Sequence, residues 1–86
     1  VPYIKVEDKK RFNKMFQELL EEAPKTAGEL NYILTNICLV YLEDMGVKYQ
    51  TYNDIIGVLE CCKQELYRRK IAEYENKKRD ENGEVY

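Results

Sequence analysis

Two breaks, Pro24 and Gly46, divide a chain that otherwise keeps helical periodicity, and they point to a fold of three helices joined by short connections. Apolar residues recurring at i, i+3 and i+4 mark the inward face of a helix. Phe12, Met15, Phe16, Leu19 and Leu20 make such a stripe ahead of Pro24, which predicts a first helix over about residues 7–23. Glu7 and Asp8 suit its N-terminal end, where the helix dipole is positive. Proline lacks an N–H and clashes with the preceding turn, so the helix stops there.

The second helix is expected over 27–45. Thr26 and Glu29 have capping-box spacing, which lets each side chain accept from a backbone N–H at the helix start. Leu30, Ile33, Leu34, Ile37, Cys38, Tyr41 and Met45 form a long apolar face, widened by Leu39, Val40 and Leu42. A helix apolar over most of its circumference belongs at the centre of a fold. Gly46 suits its C-terminal cap.

The third helix is expected over about 52–77, with Thr51 and Asp54 as a second capping box. Ile55, Leu59, Cys62 and Leu66 make one stripe; Tyr52, Ile56, Tyr67, Ile71 and Tyr74 make an adjacent one. Short connections place consecutive helices antiparallel. The expected fold is all-α: one domain over 1–86, a three-helix up-down-up bundle with an extended arm at 1–6. Asn82-Gly83 is a turn signal. Val85 and Tyr86 follow a polar run, so the tail at 80–86 is expected to dock.

A chain of 86 residues buries a modest core, and association with further copies often supplements it. The net charge of −2 argues against general polyanion binding. Its distribution is uneven: Lys5, Lys9, Lys10, Arg11 and Lys14 crowd the start, and acids dominate from Glu18 to Asp54. Cys38, Cys61 and Cys62 are an odd set on helices, which reads as reduced thiols. The longest apolar run, Ile37 to Leu42, is too short to cross a bilayer. A cytoplasmic location, without signal peptide or membrane association, is expected.

The chain has no His and no Ser. The commonest general base, a serine nucleophile and a Cys–His pair are therefore all excluded, and a non-enzymatic role is expected. Cys61 and Cys62 sit about 100° apart on a helix and cannot easily share one metal, so no metal site and no cofactor are implied. Gly57 inside a helix costs about 1 kcal/mol relative to Ala. It reads either as a close helix approach or as a place where a partner's backbone comes near. With Cys61 and Gln64 it forms a small-residue face that could be the seam of a homodimer.

Tyr occurs eight times and supplies contact area at low entropic cost. Tyr67, Arg68 and Arg69 combine a ring with two guanidinium groups, a set able to hold a phosphate and stack a base. The alternative is a solvated face, with Glu65–Arg69 and Arg69–Glu73 paired at i, i+4.

The segments NDIIGVLEC (Asn53 to Cys61), ELYRR (Glu65 to Arg69) and ENGEVY (Glu81 to Tyr86) resemble a domain-of-unknown-function family of short phage and prophage proteins. PYIKVEDKKRF and GELNYILTNICLVYLEDMGVKY extend the resemblance over nearly the whole chain. The family usually has Asp where Glu84 stands, a departure that keeps the charge. The resemblance implies a compact viral accessory protein in a bacterial host cell and carries no activity with it. Its pattern falls on Asn53, Asp54, Gly57, Glu60, Tyr67, Arg68, Arg69 and the Asn82–Tyr86 tail, many of them polar.

Together these features make Asn53, Asp54, Gly57, Cys61, Tyr67, Arg68, Arg69, Asn82 and Tyr86 the candidate ligand or interface residues. The expected function is a binding module: a helical homo-oligomer, with a dimer favoured, whose third helix and tail form an assembly surface or sequester an anionic nucleotide-type small molecule. The alternatives are an inhibitor or adaptor of a host protein acting through the acidic stretch, and a nucleic-acid-associated protein, which the charge does not favour.

Overall fold

In the computed structural model, residues 3–84 are described, and among them every regular element is helical, with no strand. Val1, Pro2, Val85 and Tyr86 lie outside the described residues, so the expected docking of Val85 and Tyr86 lies there too. The chain divides into two units, Pro2–Tyr52 and Asn53–Tyr86.

In the first unit, the first helix is composite: Val6–Lys9, a 3-10 turn at Lys10–Phe12, and Asn13–Glu21. It ends a turn short of Pro24, where the Glu22 N–H closes on the Glu18 carbonyl at 3.0 Å. The second helix spans Ala27–Met45. Thr26 is extended, and its hydroxyl accepts from the Glu29 N–H at 3.0 Å. Such a cap contributes about 1 kcal/mol. The reciprocal half of the capping box is displaced by one residue, because the Glu29 carboxylate accepts from the Lys25 N–H at 2.9 Å. Gly46 closes the helix with φ of +101°, a conformation L side chains rarely adopt.

The third helix begins three residues earlier than its pattern predicts. Tyr49–Leu66 is α-helical, and the Lys48 carbonyl accepts the first bond, from the Tyr52 N–H at 3.2 Å. Thr51 therefore lies inside the first turn and is not the cap, because an N-cap residue needs an extended backbone. It is instead the one fully buried residue among those described, at 2% exposure.

The helix continues without a break through a π turn at Tyr67–Ile71 and an α-helical end at Ala72–Asn82. It thus runs past the expected end near Lys77, and Asp80 to Asn82 are its last residues, not part of the tail expected at 80–86. Asn82-Gly83 acts as a helix stop, with Gly83 at φ of +88° and its N–H on the Arg79 carbonyl at 2.7 Å.

Burial departs most from expectation. Among the described residues no hydrophobic side chain is buried. The second helix, whose pattern suits a central position, leaves Leu30, Leu34, Ile37 and Met45 each more than two-fifths exposed, and has no buried residue. Helical form here comes from local bonds, caps and propensity. The apolar faces that usually stabilise helices are open.

Candidate functional site

The Tyr67-Arg68-Arg69 cluster coincides with the π turn. In that turn the Ala72 N–H reaches back five residues to the Tyr67 carbonyl. π turns are rare and insert one extra residue into an α-helix, frequently at functional positions. Here the insertion has a local consequence. In an unbroken α-helix, residues eight apart diverge by about 80° around the axis. The extra residue removes that offset and brings Glu75 into line with Tyr67, whose hydroxyl donates to the Glu75 carboxylate at 3.1 Å. That bond, and the carboxylate's charge, raise the phenol above its ordinary pKa of 10.0.

Both arginines are held on their own helix. Arg68 Nη2 lies 2.9 Å and Arg69 Nη1 3.4 Å from the same Glu65 oxygen. Glu65 is largely covered, with 22% of its side chain accessible. One turn earlier, Glu60 accepts from Gln64 at 3.1 Å and pairs with Lys63 at 3.2 Å. The Gln64 bond, then Lys63, hold its carboxyl below the usual value. Lys63, Gln64, Glu65, Tyr67 and Arg68 line an open groove of about 600 Å³.

The cluster is thus an interlocked acid–base surface. A phosphate there would meet the Glu65 and Glu75 carboxylates beside the donors that Arg68 and Arg69 still have to offer. Of the two pairs expected of a solvated helix face, Glu65–Arg69 is present, joined by Glu65–Arg68 at i, i+3. Spacing alone missed Glu75 as Tyr67's partner, because only the π turn brings i and i+8 together.

The other candidates are dispersed. Asn53 is exposed and Asp54 half-buried near the start of the third helix. A Cβ on Gly57 would meet nothing within 4 Å, so no close approach at Gly57 occurs among the described residues. Cys61 is half-buried and unoxidised. Asn82 lies thirteen residues beyond Arg69 at the helix end, beside a second groove of about 440 Å³ that also meets Tyr74, Lys78 and Arg79. Tyr86 lies outside the described residues. Among the described residues, no group of three or more Cys, Asp and Glu gathers in a way that could hold a metal, and no helix is long and apolar enough to cross a membrane.

The chain belongs to the family described as domain of unknown function DUF6899, which matches residues 1–85. No curated protein and no solved structure matches it.

Proposed function

We propose that this member of the family is a non-enzymatic helical association module, of phage or prophage origin, that assembles with copies of itself. One observation carries this reading: among the described residues, three helices with strongly apolar stripes bury no hydrophobic side chain.

The exposed residues are the ones that suit an interface. Tyr3, Tyr32, Tyr49, Tyr52, Tyr67 and Tyr74 are all close to half exposed or more, and Tyr and Met are enriched at contact surfaces. Packing of the three helices up-down-up, and docking of the tail, would belong to the assembled state. Binding of an anionic small molecule is secondary in this reading, since carboxylates already occupy Tyr67, Arg68 and Arg69.

Sedimentation equilibrium of the full chain tests the proposal. A mass at least twice that of the chain at micromolar concentration is the expected result. A compact monomer across the whole concentration range would falsify it.

A further inference from the structure

We propose that Lys70, Lys77 and Lys78, set around the exposed ring of Tyr74, form a binding patch for single-stranded nucleic acid near the end of the third helix. The patch is separate from the Tyr67-Arg68-Arg69 cluster and does not depend on self-association.

Placement is the first argument. Lys70 lies four residues before Tyr74, and Lys77 and Lys78 lie three and four after it. Those are the intervals at which side chains on a helix are neighbours, so cations flank the ring at both ends along the axis. The ring is 61% exposed, and the Lys78 ammonium lies 5.6 Å from its centroid. All three lysines are exposed.

Their charge is the second. Lys70 and Lys77 form no ion pair among the described residues, and Glu73, which borders both, pairs with neither. Lys78 reaches Glu81 at 3.4 Å, with both side chains about half exposed. Such a solvated pair contributes little, and an ammonium has further donors to offer. Arg68 to Arg79 carry six cations against Glu73 and Glu75, while the chain as a whole stands at −2. The helix dipole accounts for Arg79, which lies in the last turn. Its reach ends there, so Lys70 and Lys77 need another reason.

The ring selects the occupant. An acidic peptide would satisfy the lysines and leave the ring unused. A duplex offers phosphates but keeps its base faces stacked inside. A single strand presents phosphates and open base faces together, and binding of that kind combines cations with an aromatic platform.

Fluorescence anisotropy of the full chain with a labelled thymidine homo-oligonucleotide tests the patch. Log affinity should fall against log salt with a slope of about −2, the value for three lysine–phosphate contacts on a single strand. Lys70→Gln combined with Lys77→Gln should weaken binding about tenfold or more and bring the slope to about −1. Tyr74→Ala should weaken it about fivefold or more with the slope unchanged, and Tyr74→Phe, which keeps the ring, should bind like wild type. Absence of binding overturns the patch, as does unaltered binding in the lysine pair or in Tyr74→Ala. Equal affinity of the wild-type chain for duplex DNA or for polyglutamate also overturns it, since either would mean a basic surface that makes no use of the ring. Circular dichroism checks the helix in each variant, and the wild-type comparison of single strand with duplex decides the matter if a variant loses it.

Discussion

Tyr67 and Thr51 show how far single residues depart from their sequence roles. The Tyr67 hydroxyl donates to Glu75 at 3.1 Å, so ionising the phenol loses that bond and sets two negative charges side by side. Its folded pKa is therefore raised. A raised folded value means that the interaction stabilises the helix below the unfolded phenol pKa near 10.0 and is lost as pH rises through the higher folded value. Subtracting the ultraviolet titration of Tyr67→Phe from wild type should isolate one phenol with a midpoint above 10.0. Glu75→Gln should return that midpoint toward normal, and no change would mean that the bond does not persist in solution. The Thr26 cap was legible in the sequence because a cap is a contact three residues long. The same pattern at Thr51 failed, because nothing in Val47 to Gln50 stops a helix from starting earlier, and burial of Thr51 was not encoded locally.

At the scale of elements, the π turn governs what the third helix presents. Periodicity assigns Tyr74 to a stripe beside Leu66, while the extra residue in the turn rotates it into line. Residue type does not announce such a turn: Tyr-Arg-Arg-Lys-Ile is compatible with an ordinary α-helix. Deleting Lys70 should convert the turn to α-helix and leave everything beyond it nearly in register, because the deletion removes the one residue that the turn inserts. Helix content by circular dichroism should remain near wild type, and the raised Tyr67 titration should persist, because Glu75 then stands about 20° off the line of Tyr67. If that titration disappears on deletion, the turn does not act as a one-residue insertion that aligns the pair. Helix ends follow similar logic. Gly46 and Gly83 stop helices by adopting positive φ, which a sequence signals well, whereas the residues after Lys77, expected to leave the helix, stay helical, held in part by Lys78–Glu81 at 3.4 Å.

For the whole molecule the decisive quantity is exposed apolar surface. If copies cover it, folding and association are one equilibrium, and mass action makes the thermal midpoint rise with protein concentration. Melting followed at 222 nm across a hundredfold range should show that rise, whereas a midpoint independent of concentration would mark a chain that folds alone. The sequence by itself determined the all-helical class, the cap at Thr26, the stop at Gly46 and the stripes, since each depends on residues within a turn or two of one another. It also singled out Tyr67, Arg68 and Arg69. Only the three-dimensional structure decided that these side chains engage Glu65 and Glu75, that an inserted residue re-phases the helix, and that the second helix lies open. Periodicity states which face of a helix seeks cover. It contains no information on whether that cover comes from the same chain or from another copy, because burial depends on the distance between helices.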